Sequence, residues 1–133
     1  MSAKLNVRVD PDDDIIVQAV DGEPTEAEFE ELYRLTEQAA RQLRDPANIR
    51  ILTDGRLLKG QRLNARQRAA QMLSQAPSIR LAVWGCSPLL RVALRFLSVA
   101  IGRDIRAFRN EQEAREWLRQ PGPSHRAGEQ ARS

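Results

Sequence analysis

The segments IRLAVWG (79–85) and SPLLRVALRFLSVA (87–100) follow each other almost without a gap, and together they decide the class of fold. The first is a short, mostly apolar run without helical period, which is typical of a buried strand. The second begins with Ser87 and Pro88, residue types that are preferred at the cap and the first position of a helix. A strand that leads directly into a helix predicts an α/β fold.

The same alternation extends outward from this pair in both directions. Further strands are predicted at 5–9, 14–20, 49–54 and 104–108, and further helices at 24–43, 64–76 and 110–118. The turn sequence DPDDD joins the first two strands and predicts a hairpin. We therefore predict a five-stranded mixed sheet, antiparallel in its N-terminal hairpin and mainly parallel afterwards, with about four helices.

The composition bounds the domain organisation and the class of protein. A chain of 133 residues is long enough for one domain, which we place at 1–119, with a disordered polar tail at 120–133. One cysteine excludes an intramolecular disulfide, and the one histidine, His125, lies in the tail, so we expect neither a metal site nor a cofactor. The chain has no long apolar segment and no apolar leader, which predicts a cytoplasmic protein without membrane contact.

Charge is divided unevenly between the two ends of the chain. Residues 1–48 hold 12 acidic and five basic side chains, whereas residues 49–133 hold six acidic and 16 basic ones. Such a dipolar surface would steer an anionic ligand or a complementary protein, although separately solvated surfaces explain the pattern as well. Nucleic acid is disfavoured, because no aromatic residues are interleaved with the basic ones to stack on bases.

A family resemblance rests on the segment IRAFRNEQEAREWL (105–118), which resembles the C-terminal signature of the SpoIIAA-like branch of the STAS superfamily (sulfate transporter and anti-sigma factor antagonist). The matching residues are Ile105, Arg106, Phe108, Glu113, Ala114, Trp117 and Leu118. The likeness covers roughly residues 5–119. It implies a non-enzymatic regulatory or protein-interaction module that binds a protein partner or a small ligand. From spacing alone, Ala114, Trp117 and Leu118 predict a short helix that folds back and buries the indole against the sheet.

Phosphorylated members of the superfamily carry a serine after an acid in the loop behind the third strand. Here the order is reversed, because Thr53 precedes Asp54 and Gly55 follows. The resemblance therefore gives little support to a phosphorylation switch, and Thr53 is the substitute acceptor to consider. Packing at the end of a strand is the simpler explanation for this β-branched residue.

The candidate binding site is the edge at which the parallel strands end, since ligands and partners of such sheets bind at the carboxyl ends of the strands. Glycines in these loops let another backbone approach closely, and the basic residues offer donors to an anionic group. The predicted site consists of Asp54, Gly55, Arg56, Lys59, Arg62, Ser87 and Arg91.

Cys86 gives the competing interpretation, because it stands between a strand and a helix, where backbone dipoles can activate a thiolate. Its spacing to Arg91 resembles the active loop of rhodanese-type sulfurtransferases. That loop needs small residues and backbone donors, whereas Pro88 removes one donor and Leu89 and Leu90 are bulky. We therefore favour a binding module over an enzyme.

The helix over 88–101 is apolar around more of its surface than a single stripe requires. Either another element of the chain covers its second side or a second subunit does. We expect burial within the chain, with a homodimer through this helix as the alternative.

Overall fold

The computed structural model describes residues 3–59, 63–75 and 79–120. Its strands are β1 (Lys4–Asp10), β2 (Ile15–Asp21), β3 (Ile49–Asp54), β4 (Ile79–Trp84) and β5 (Asp104–Phe108). They form one sheet in the order of the chain, in which β1 and β2 are antiparallel and all other neighbours are parallel. The predicted mixed sheet of five strands is confirmed.

The helices are α1 (Glu26–Ala40), α2 (Leu63–Gln75), α3 (Pro88–Ile101) and α4 (Glu111–Arg119). Ser87 caps α3 as predicted, and Thr25 and Asn110 cap α1 and α4 in the same way, each accepting a hydrogen bond from a backbone N–H in the first turn. The predicted start of α2 at residue 64 is one residue late, because Leu63 is already helical.

Helix α1 is shorter than the sequence predicts. It ends at Ala40, where two tighter backbone hydrogen bonds follow, from Gln42 to Ala39 and from Leu43 to Ala40. The carboxylate of Asp14 then accepts the backbone N–H groups of Arg44 and Asp45 at 2.9 and 3.2 Å. These bonds from the β1–β2 turn replace the helical hydrogen bonds and lead the chain away from the helix axis.

One face of the sheet is covered by α4 alone. Side chains alternate along each strand, so that one row of residues from β2, β3 and β4 faces this helix. The cluster contains Ile15, Leu52 and Ala82 from the sheet with Ala114, Trp117 and Leu118 from α4. Trp117 is buried and lies tilted against Phe108, with the ring centroids 5.5 Å apart, which confirms the prediction that its indole is buried against the sheet.

Two arginines, the buried Arg80 and the half-buried Arg50, tie α4 to the sheet. Arg80 donates to the carbonyl oxygen of Trp117 at 2.8 Å, pairs with Asp104 at 3.2 Å and lies over the Trp117 ring at 4.2 Å. Arg50 donates to the carbonyl oxygen of Leu118 at 3.1 Å. These groups satisfy carbonyls at the end of a helix, which have no partner within the helix itself.

The opposite face is covered by α1, α2 and α3. Ile16 and Ile51 of the sheet form a core cluster there with Ala39 and Leu43. Helix α2 packs against α1 and α3 rather than onto the strands. A cavity of about 290 Å³ lies below it, between the three helices and the sheet.

Helix α3 has no fully buried residue. Its outward side, here called the outer stripe, consists of Leu89, Val92, Phe96 and Val99. Leu89 is 78%, Phe96 72% and Val99 80% exposed, and nothing in the described chain covers them. The expectation that the chain buries this second side is therefore wrong for residues 3–59, 63–75 and 79–120.

The predicted tail at 120–133 lies outside the described residues, apart from Gln120. Among the residues that are described, no helix is both long and apolar enough to cross a membrane.

Candidate functional site

The ends of four neighbouring strands are held together by backbone hydrogen bonds. After β2, Gly22 donates to the carbonyl of Leu57 at 2.9 Å and accepts from Lys59 at 3.0 Å. Gly55 donates to Trp84 at 2.8 Å, and Gly85 donates to Phe108 at 3.1 Å. We call residues 54–59 and 85–87 the strand-end edge. These bonds fix the loops relative to each other, so that the predicted site residues 54–56 lie next to the loop that holds Cys86, the candidate nucleophile, and the predicted site residue Ser87.

Arg56 is the organising side chain of the strand-end edge. Its guanidinium pairs with the Asp54 carboxylate at 2.8 Å and lies over the Trp84 ring at 4.5 Å. The hydrogen bond from Arg56 lowers the pKa of Asp54, so the pair is ionised at neutral pH. An anion that binds to Arg56 must therefore compete with a carboxylate that is already in place.

Two glycines make this close approach of the loops feasible. A Cβ at Gly85 would lie 2.6 Å from Cγ of Arg56, and the residue has a φ of +76°, which side chains rarely tolerate. A Cβ at Gly55 would lie 2.9 Å from Cγ1 of Val83 and 3.1 Å from Cβ of Cys86. The stacked arginine and its tryptophan thus depend on the absence of side chains at both positions.

Cys86 does not have the surroundings of a nucleophile. It is 7% exposed, and burial raises the pKa of its thiol while the nearby charge of Arg91 only partly opposes this effect. Reactive cysteines need partial exposure and a lowered pKa. Ser87 is engaged as the cap of α3, accepting from Leu90 N–H at 3.2 Å. Nothing in this geometry supports the sulfurtransferase interpretation.

The remaining predicted residues are distributed around the edge. Lys59 is exposed at the end of the loop that Gly22 holds. Arg91 is half-buried one turn into α3, with its backbone N–H donated to Ser87. Arg62 lies outside the described residues. Thr53 is 6% exposed, and its hydroxyl donates to Gln18 at 3.0 Å, so a kinase could reach it only after local opening.

A second candidate site was not predicted from the sequence. Gln18, Thr36 and Thr53 form a buried hydrogen-bonded group in the wall of the cavity below α2. The available signal was the presence of polar residues at positions that face a core, namely the middle of β2 and the apolar side of α1. Thr36 lies at the helical spacing of the apolar side of α1, so the pattern alone does not distinguish its buried hydroxyl from a packing residue.

No group of three or more histidine, cysteine or acidic side chains suited to a metal ion occurs in the part of the chain that the structure describes. Neither site therefore offers a metal-ligand set from these residues.

Comparison with known proteins gives a family and a fold. The family model described as SpoIIAA-like matches residues 15–119. A crystal structure of an uncharacterised protein with a SpoIIAA-like fold from Shewanella loihica superposes with a TM-score of 0.65 at 22% sequence identity. The match covers 88% of this chain and 93% of that one. At this identity the likeness concerns the fold alone. No curated protein matches the chain.

Proposed function

The chain belongs to the SpoIIAA-like family, and from this premise we propose that it is a non-enzymatic STAS-type regulatory module that binds another protein at the strand-end edge. The observation that carries the proposal is the stacking of the exposed Arg56 side chain on Trp84 at the strand-end edge. Arginine and tryptophan are the residue types that most often dominate binding energy in protein interfaces. Here both are held in position before any partner arrives.

A protein partner fits this edge better than a small anion does. The charge of Arg56 is already balanced by Asp54, which weakens the attraction for a small anionic ligand. A protein can instead pack against the flat face of the stacked pair. The outer stripe of α3, which begins at Ser87, offers a second apolar surface to a protein partner. The apolar area of the outer stripe is the kind of surface that interfaces bury.

The partner surface should be apolar in its centre and acidic at its rim. The charged residues of α3 are Arg91 and Arg95, without an acidic residue, and the strand-end edge adds the exposed basic residues Arg56 and Lys59. A symmetric pairing of α3 with α3 of a second copy would bring the arginines of both helices together. This repulsion favours a different protein over the homodimer as the occupant of the outer stripe.

The test compares two arginine variants as bait. Proteins captured by the wild-type chain from its native host are identified by mass spectrometry, and the specific partner is then purified. We expect Arg56→Gln to weaken its binding about tenfold, since a stacked interface arginine typically contributes more than 1 kcal/mol. Arg34→Gln is the matched control, because Arg34 is also exposed and paired with a nearby carboxylate, but on α1.

The salt dependence of binding provides the second readout. Raising the ionic strength should weaken the wild-type complex, because contacts to an acidic rim are screened. A partner that binds Arg56→Gln with wild-type affinity at low and high salt would exclude the strand-end edge. The remaining alternative is a homodimer through α3, which sedimentation of the chain alone detects. If the wild-type chain is a dimer and Phe96→Ser is a monomer, a second copy of the chain occupies the outer stripe.

A further inference from the structure

The cavity below α2 has walls of hydrocarbon. Inward-facing side chains of β2, β3 and β4 form its base, and α1, α2 and α3 form its sides and roof. Representative wall residues are Leu32, Ile51, Met72, Leu81, Leu94 and Leu97. The volume of about 290 Å³ is close to the lower end of the range for small-molecule sites. Protein interiors are normally packed without voids of this size, so the space requires an explanation.

The polar group in the wall has one hydrogen-bond donor to spare. The Gln18 amide donates one N–H to Thr36 at 2.7 Å, and its oxygen accepts from Thr53 at 3.0 Å. The hydroxyl of Thr36 is in turn donated to the carbonyl of Leu32 at 2.7 Å. An amide nitrogen carries two N–H groups, so the second one of Gln18 is left for a further acceptor. Gln18 is 7% exposed, which makes a donor without an acceptor costly there.

We propose that this cavity is a binding site for an uncharged, mainly hydrocarbon molecule that carries one acceptor oxygen, as in an aliphatic ketone. The hydrocarbon part fills the space between the sheet and the three helices. The oxygen accepts the second N–H of Gln18, whose orientation Thr36 and Thr53 fix from both sides. This site is separate from the strand-end edge and does not depend on the function proposed there.

The lining chemistry excludes an ionised ligand. The described residues that line the cavity include one acidic residue, Glu37, and no lysine or arginine. A carboxylate or phosphate would lose its hydration without gaining a positive partner and would lie in the same cavity as an acid. The site therefore discriminates against fatty acids and other anionic amphiphiles in favour of neutral compounds.

The volume limits the size of the ligand. An engineered apolar cavity of about 150 Å³ holds one benzene molecule, so a space of about twice that volume accommodates roughly ten to twelve non-hydrogen atoms. Methyl heptyl ketone is a probe of this size. Nonane and nonanoate serve as matched probes that lack the oxygen or carry a charge.

The experiment measures binding of the three probes to the purified chain by calorimetry and by the NMR signals of the Gln18 side-chain amide. We expect saturable binding of the ketone, weaker binding of nonane and none of nonanoate, with a downfield shift of one Gln18 amide proton by the ketone only. Gln18→Leu removes the donor and should reduce ketone affinity about fivefold to tenfold while leaving nonane affinity unchanged.

Two further variants control for effects on the fold. Ala40→Phe places a larger side chain in the wall of the cavity and should abolish binding of all uncharged probes. Phe96→Ser lies on the outer stripe of α3 and should leave ketone binding unchanged. Absence of saturable ketone binding, equal binding of nonanoate, or a Gln18 amide signal that the ketone leaves unmoved would each overturn the proposal. The amide signal is read in the wild-type chain, so the test remains decisive if Gln18→Leu does not fold.

Discussion

The two faces of the sheet are covered in opposite ways. A single helix of nine residues, α4, closes one face and buries Ala114 and Leu118 almost completely. Three helices cover the other face, yet they leave a cavity of about 290 Å³ and a helix, α3, without a buried residue. The shorter cover is therefore the better packed one.

Under the proposals made above, this contrast separates the face that stabilises the domain from the face that holds the cavity and the outer stripe. Because the α4 face is densely packed and is tied to the sheet by Arg80 and Arg50, we expect it to contribute most of the stability. The face of α1, α2 and α3 leaves the outer stripe exposed and the second N–H of Gln18 without an acceptor, which are the features on which the proposed binding of a protein and of a small molecule depends. Five measurements test this division.

The largest effect is expected from truncating the α4 face. Leu118→Ala should lower the free energy of unfolding by about 3 kcal/mol, because the side chain is 1% exposed and its neighbours cannot collapse into the space. Leu97→Ala, in the wall of the cavity, should cost about 1 kcal/mol, since Leu97 is half-buried next to existing space. Urea denaturation of both variants gives the difference, and equal losses would contradict the division.

The buried Arg80 should be the next most sensitive position. We expect Arg80→Lys to cost about 2 kcal/mol, because lysine keeps the charge but cannot bind several carbonyls and stack on Trp117 at once. Arg34→Lys is the exposed control and should change the stability by less than about 0.5 kcal/mol. Thermal unfolding of both variants tests this. If Arg80→Lys lowers the stability no more than Arg34→Lys does, Arg80 does not anchor α4.

Acid should loosen the α4 face. Hydrogen bonds from Arg119 and Arg115 lower the pKa of Asp13, and a hydrogen bond from Arg115 lowers the pKa of Asp10, against the opposing effect of burial. A carboxylate whose pKa is lower in the folded state contributes stability above the ordinary aspartate value, and this is lost as the pH falls through the folded-state value. We therefore expect the urea concentration at half unfolding to decrease once the pH is lowered below about 4.

The variant Asp13→Asn identifies the source of that acid sensitivity. It removes one partner of Arg115 and Arg119, so it should be less stable at neutral pH and should lose less further stability in acid. Urea midpoints measured from pH 7 to acid give both quantities. An unchanged acid slope would assign the sensitivity to carboxylates elsewhere in the chain.

The smallest effect is expected on the outer stripe. Phe96→Ser should alter the free energy of unfolding by less than about 0.5 kcal/mol, since the ring is 72% exposed and makes few contacts to lose. Chemical denaturation checks this value. A loss of several kcal/mol would mean that the ring is covered in solution and that the two faces are packed alike.

The sequence was sufficient for those parts of the fold that depend on local patterns. Strand β3 and strand β5 have the predicted bounds, and the caps of α1, α3 and α4 lie where side-chain chemistry places them. The end of α1 was missed because it depends on Asp14, a residue distant in sequence whose carboxylate reaches Arg44 and Asp45. Such a tertiary contact leaves no periodic signal in the helix itself.

The candidate sites were less accessible to sequence reasoning for the same reason. Parallel topology was enough to bring Gly55 and Cys86 together, but the stacking of Arg56 on Trp84 requires the paths of two loops. The cavity depends on the distance between α2 and the strands, which packing decides and hydrophobic pattern does not. A chain with the same apolar positions and larger side chains would have no such space.

The order of the strands also has a consequence for synthesis on the ribosome. Each parallel strand pairs with the strand made immediately before it, so the growing sheet can extend at its free edge without inserting a strand between finished ones. The cover of the second face, α4, is made last. Until residue 119 has left the exit tunnel, the row formed by Ile15, Leu52 and Ala82 faces water. A nascent chain stalled before α4 is therefore an aggregation-prone species and a natural client for chaperones.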